Sequence, residues 1–180
     1  MELPDKCCFH HPNLQQLQIH VLAVGHLPFM AFGDCLQLEG VEFLSSTINP
    51  SIQPRLAVIC NDTFWHCKSI RSVLGLENLS RSFVRIGCNT FWSFQELATL
   101  DLFCLKRLQH LGEQTFCCLA IVDFSNSVLL EEIPFETFRE YKAFKTIHLA
   151  SNLKQIDTLT FQGYKALMSI PIPAVLQWNL

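Results

Sequence analysis

The sequence has no surplus of basic side chains: thirteen Lys and Arg stand against sixteen Asp and Glu in 180 residues, a formal net charge of −3. Binding a phosphate backbone takes a concentrated cationic footprint, so this balance argues against nucleic acid as a partner. Long apolar runs are also lacking. The longest, near 19–32, holds His20, Gly25, His26 and Pro28, and is too short and polar to span a bilayer. The opening MELPDKCCFHH has no basic stretch followed by an apolar core, so no secretory leader is visible and a cytoplasmic protein is expected.

Catalytic signatures are missing too. There is no G-x-S-x-G, no phosphate loop, no H-E-x-x-H and no glycine-rich dinucleotide turn, so the expectation is a chain that is not an enzyme. A Cys–His dyad depends on spatial neighbours alone, which leaves a thiol enzyme as the catalytic alternative. Cys7-Cys8-Phe9-His10-His11 has four metal-capable side chains without C-x-x-C or H-x-x-x-H spacing; no metal and no cofactor are expected. Nine cysteines cannot all pair within one chain, and without a leader reduced thiols are expected. The sequons Asn61-Asp62-Thr63 and Asn78-Leu79-Ser80 matter only in a secreted protein.

Apolar residues, by contrast, are plentiful, at 49 % against 16 % charged, enough for a single domain with a sizeable core. Their spacing repeats. Around Phe91 the frame is Phe83, Ile86, Phe91, Phe94, Leu97, Leu100 and Leu102. Equivalent anchors are Phe32, Phe64, Phe116, Phe138 and Phe161, at successive intervals of 32, 27, 25, 22 and 23 residues once Phe91 is included. Each has an aliphatic five residues before it: Leu27, Ile59, Ile86, Leu111, Ile133 and Ile156. Three residues earlier again stand Val24, Leu56, Phe83, Leu108, Leu130 and Leu153.

The downstream half reads Leu38/Val41/Phe43, Leu97/Leu100/Leu102, Phe144/Ile147/Leu149 and Leu167/Ile170/Ile172. After Phe64, the run Ile70/Val73/Leu74-Gly75-Leu76 is one residue long at its end, which predicts a bulge with Gly75 in an unusual conformation. After Phe116, Leu119/Val122/Phe124 arrives three residues early, so a tighter turn is expected there. Leu14/Leu17/Ile19 matches the half-frame alone. The organisation expected is therefore a degenerate N-terminal repeat or cap at 1–26, about six repeats over 27–172, and at 173–180 a tail or the start of a truncated repeat opened by Val175 and Trp178.

Alternation over a few residues makes a short strand, and one such strand cannot bury its face alone, so the copies must stack as a parallel ladder. One strand per repeat is expected, with the Phe segment returning the chain as a short helical or 3₁₀ turn. The two longest intervals place loops at 45–55 and 75–82 on one edge of this solenoid.

With AFGDCLQLEGVEF at 31–43 and FVRIG at 83–87, the chain resembles leucine-rich-repeat proteins of the BspA-like, or treponemal, class. The resemblance covers about residues 14–172. It departs in placing Thr before the Phe in five copies (Thr63, Thr90, Thr115, Thr137, Thr160) and Cys three residues after it in only two, Cys35 and Cys67. It implies a solenoid of the α/β horseshoe class, mostly β, that binds or adheres without catalysis.

In the ladder register, residues between two inward positions turn outward. Glu42, Asp101 and Asp123 are expected to form an acidic stripe running into His148, with Leu74 in the lengthened copy. Neighbouring rows add Thr99, Ile121 and Thr146, then Phe103. The plainer alternative is a solvated strand face. The functional expectation is a protein-binding surface for a basic or mixed segment, anchored by Leu74, Ile121 and Phe103. The alternative to this recognition module is a fragment of a cell-surface or secreted adhesion protein. No oligomeric state follows from the pattern.

Overall fold

Three parallel ladders of backbone hydrogen bonds, where the sequence predicts one, build the molecule. The computed structural model describes residues 2–45, 52–97, 99–116, 119, 121–138, 146–162 and 177–178. In chain order the strands are β1 (Gln16–His20), β2 (His26–Leu27), β3 (Gly40–Leu44), β4 (Val58–Ile59), β5 (Ser72–Leu74), β6 (Arg85–Ile86), β7 (Thr99–Leu100), β8 (His110–Leu111), β9 (Ile121–Asp123), β10 (Glu132–Ile133), β11 (Thr146–His148), β12 (Gln155–Ile156) and β13 (Gln177–Trp178). The odd strands to β11 come from the expected downstream kernel and pair as β1-β3-β5 and β7-β9-β11. The even strands, from the aliphatic five residues before each Phe, form a second ladder, β2-β4-β6-β8 and β10-β12, which β13 extends.

The third ladder runs through the Phe turns. Backbone N–H groups of Cys8, Phe32, Phe91, Phe116 and Phe138 each donate to the residue before the next anchor: Ala31, Thr63, Thr115, Thr137 and Thr160. These segments are turns, and the 3₁₀ helix among the described residues lies elsewhere, at Leu76–Leu79. A regular helical turn is precluded because the residue two before each Phe sits in the left-handed region: Met30, Asp62, Asn89, Gln114, Glu136 and Leu159 have φ between 49° and 57°. Three of the six are Asn, Asp or Gln, and short polar side chains tolerate that region best.

Each layer of the core is one repeat thick. The rings of Phe32, Phe64, Phe91, Phe116, Phe138 and Phe161 stack as a column with centroids 5.6, 6.2, 5.6, 5.8 and 5.6 Å apart. Offset aromatic pairs of this kind add about 0.5–1.5 kcal/mol beyond the area they bury. Beside the column lie the upstream aliphatics, with Leu27, Ile59, Ile86, Ile133 and Ile156 all buried.

The threonines that depart from the family pattern are all buried; four of their hydroxyls lie between two carbonyls, and that of Thr137 bonds Pro134 O in its own turn. That of Thr63 is 2.8 Å from Cys60 O in its own turn and 3.0 Å from Pro28 O in the turn before. Thr90, Thr115 and Thr160 repeat this arrangement.

Gly75 takes φ 75° as expected, but the result is a break and not a bulge. The chain leaves the ladder after Leu74 and enters the 3₁₀ turn through Gly75, where a Cβ would stand 2.1 Å from Phe43 O and only glycine fits. Pairing in the odd ladder stops between β5 and β7. Val122, which comes three residues early after Phe116, pairs in register with Leu100.

The N-terminal segment holds more of the frame than its half-copy suggested. Cys8 occupies an anchor position, flanked by left-handed Lys6 and His10 as Phe32 is by Met30 and Asp34. Leu3, Cys8, Leu14 and Leu17 pack against the core. At the other end β13 pairs Gln177 with Gln155 and Trp178 with Ile156, as the start of a further copy would. Residues 46–51 of the expected loop, Phe144, the set Leu167/Ile170/Ile172 and Val175 lie outside the described residues.

Candidate functional site

The odd ladder turns one row of side chains outward at each register position. Cα pairing aligns Gln18, Glu42 and Leu74 across β1, β3 and β5, and aligns Asp123 with His148 across β9 and β11. Thr99, Ile121 and Thr146 form the neighbouring row. The pairing Leu100 to Val122 puts Asp101 beside Asp123 at the next position. The rows match the sequence expectation.

The acidic stripe is not continuous. Leu74, 56 % exposed, is the register partner of Glu42, and the ladder break follows it, so an apolar side chain and a notch separate Glu42 from Asp101. Two grooves result. One, of about 280 Å³, is lined by Thr99, Leu100, Asp101, Phe103, Ile121, Asp123 and His148. The other, of about 520 Å³, lies at the notch and includes Glu42, Leu74, Glu77, Asn78, Asp101 and Cys104. Asp101 borders both. Thr146 is in register with Ile121 but lines neither groove.

Neither groove is lined by Lys or Arg. Phe103 is 50 % exposed and Ile121 37 %, so the smaller groove pairs apolar walls with carboxylates. Each aspartate also serves its own turn. Asp101 Oδ1 accepts the Phe103 N–H at 2.9 Å, and Asp123 Oδ1 accepts the Ser125 N–H at 2.8 Å. Those bonds fix the carboxylates at the ends of their strands. Glu42 accepts from Gln18 Nε2 at 3.0 Å.

A second polar arrangement, invisible in the sequence spacing, lies on the turn ladder. Asp34 accepts hydrogen bonds from Nδ1 of His10 at 2.6 Å and of His66 at 2.7 Å, one on each oxygen. All three residues stand two places after their anchors, in left-handed conformation. The bond from His66, then that from His10, holds the Asp34 carboxyl below its ordinary range. The signal that could have found this row is Cys8, which sets the register of His10 once it is read as an anchor.

Of the seven described thiols, Cys35 and Cys67 are buried and Cys7 is exposed. Burial pushes Cys67 up to about 12 and Cys104 up to about 11, the latter helped by the charges of Asp101 and Glu77. Burial also raises Cys7, Cys35 and Cys60. A nucleophilic or metal-binding cysteine needs a lowered pKa, so these five are poor candidates for either. Cys117 and Cys118 lie outside the described residues. Among the described residues, no group of three or more His, Cys, Asp or Glu converges as metal ligands would, and no helix is long and apolar enough to cross a membrane.

Comparison with known proteins follows the repeat. The model of the "BspA type Leucine rich repeat region" matches residues 2–125 and 57–177, with six copies in that model's description. No curated protein matches the sequence. A solved structure described as a leucine rich cell surface protein from Faecalibacterium prausnitzii A2-165 is similar, with a TM-score of 0.55 at 18 % identity. The alignment covers 92 % of this chain and 43 % of that one, so this chain spans less than half the length of that protein. At that identity the likeness concerns the fold.

Proposed function

Because this chain belongs to the BspA-type leucine-rich-repeat family, we propose that it is a non-catalytic recognition module whose odd-strand face binds a protein partner. The observation that carries this reading is the groove at Thr99, Asp101, Phe103, Ile121, Asp123 and His148. Exposed aromatic and aliphatic side chains beside fixed carboxylates on a rigid ladder give apolar anchors with a charged edge. Glu42, Leu74 and the notch extend the surface, with Thr146 at its border.

Partner capture with wild type and with Phe103→Ser/Ile121→Ser tests this reading. Both side chains are exposed, so folding should persist while capture falls at least tenfold. Equal capture by a folded double variant would remove the strand face from the function.

The compartment we propose is reducing, since all seven described cysteines are unpaired. A second reading, adhesion at a cell surface, is favoured by the description of the similar bacterial structure as a cell surface protein. Labelling intact cells with a membrane-impermeant reagent separates the two: labelled protein places the chain outside, and labelling only after lysis places it inside.

A further inference from the structure

The smaller groove has a chemistry specific enough to name what it accepts; this step rests on the strand-face reading above. Asp101, the residue after β7, stands beside Asp123 of the adjacent parallel strand β9, and like charges side by side are unfavourable. Each commits Oδ1 to its own turn, to Phe103 N–H in one case and to the N–H and hydroxyl of Ser125 in the other. Neither forms an ion pair among the described residues, whereas Glu131 has Lys154 and Asp34 has two imidazoles. Each Oδ2 is thus left for an outside donor, on backbones about one strand spacing of 4.8 Å apart. Phe103 and Ile121 stand to either side.

We propose that this groove binds an arginine side chain of an extended protein segment. The guanidinium bridges the Oδ2 atoms of Asp101 and Asp123, and its stem and neighbouring apolar residues lie on Phe103 and Ile121. Arginine suits the groove better than lysine for a geometric reason. Its planar fork carries five donors and reaches two carboxylates at once, and its face stacks on an aromatic ring. An ammonium can reach both carboxylates too, but it is compact and strongly hydrated and has no planar face to lay on the Phe103 ring. The opposite charge class is unfavourable, because an acidic or phosphorylated segment would meet carboxylates with no Lys or Arg lining the groove.

The test is selection of a random peptide display library on the full chain, with Asp101→Asn/Asp123→Asn and Phe103→Ser/Ile121→Ser as comparators. Asn keeps the Oδ1 acceptor of each turn and replaces the charged Oδ2 with an amide donor, so the first pair should melt with the wild type. The expected result is enrichment of peptides with an arginine beside apolar residues, bound at least tenfold more weakly by the Asn pair and several-fold more weakly when the arginine is changed to lysine.

Peptides that lack arginine, or that bind the Asn pair as well as wild type but lose binding to the Ser pair, would overturn this proposal and leave the strand-face reading standing. Peptides indifferent to both pairs, or no enrichment at all, would overturn the arginine proposal. In the former case the strand-face reading falls with it.

Discussion

The hydroxyl of Thr90 lies 2.8 Å from the carbonyl oxygen of Gly87 in its own turn and 3.2 Å from that of Cys60 in the turn before. The donor therefore fastens successive turns at a position where the family pattern carries alanine. Thr90→Val keeps the shape and removes this donor, while Cys60 O keeps the hydroxyl of Thr63 and Gly87 O that of Thr115. A loss of about 1 kcal/mol is expected, read by denaturant unfolding. An unchanged midpoint would mean the hydroxyl bridge contributes nothing.

Phe91 sits in the middle of the ring column, 6.2 Å from Phe64 and 5.6 Å from Phe116, with Phe94 edge-on at 5.1 Å. Phe91→Ala should cost about 3–5 kcal/mol, since the stacked layers on both sides cannot collapse into the hole. Thermal melting checks this, and a shift near zero would mean that the column is not the core.

Two glycines offer a contrast. A Cβ on Gly112 would stand 2.2 Å from Cys88 N and 2.4 Å from Gly87 C, backbone atoms of the neighbouring turn, whereas one on Gly25 meets nothing within 4 Å. Gly112→Ala should destabilise by about 1–3 kcal/mol or more through forced separation of turns, and Gly25→Ala should be neutral or slightly stabilising. Equal unfolding midpoints for the two variants would contradict the close approach of the layers.

The thiols set an alkaline limit. A thiol whose folded pKa is raised contributes stability that is fully present below its unfolded pKa, given as 9.0, and is lost as pH rises through its folded value. For Cys67 that window runs from 9.0 to about 12, and for Cys104 from 9.0 to about 11. Stability should fall across this range, and Cys67→Ala should flatten the fall after its own cavity cost is subtracted. In thiol-alkylation profiling of the native chain at neutral pH, Cys67 and Cys104 should label far more slowly than after denaturation. Fast native labelling of either would reopen the thiol-enzyme alternative.

Asp34 works in the other direction. Its carboxyl is lowered from 3.8, so its contribution is present above that value and is lost as pH falls below it toward the folded pKa. Asp34→Asn should destabilise at pH 6 more than at pH 2. The same penalty at both values would show that the His10–Asp34–His66 row acts through shape and not charge.

The Phe anchors, the inward aliphatics and the outward rows were legible because a side chain's direction is fixed by its place in a short alternating kernel. Ile121, Asp123 and Phe103 could be placed on the surface for this reason alone. The even strands were not legible. A pair such as Arg85–Ile86 is too short to show a period, and its pairing is visible only when Ile59 and Leu111 lie on either side. The N-terminal copy hid behind one substitution, Cys8 for Phe, which removes the residue type that marks an anchor.

The sequence by itself determined the repeat, the family class and which side chains face inward, because core burial imposes a spacing on the chain that reads off without coordinates. Tertiary structure decided what the outward residues do together. The chain leaves the ladder at Gly75, in a left-handed turn so close to Phe43 that only glycine fits, and this divides one expected stripe into two grooves that share Asp101. Only the stacked turns show that Asp101 and Asp123 each hold one oxygen to their own backbone and leave the other open. Those bonds are local, two residues on, whereas the two aspartates stand about one repeat apart, and the length of each repeat sets which side chains meet.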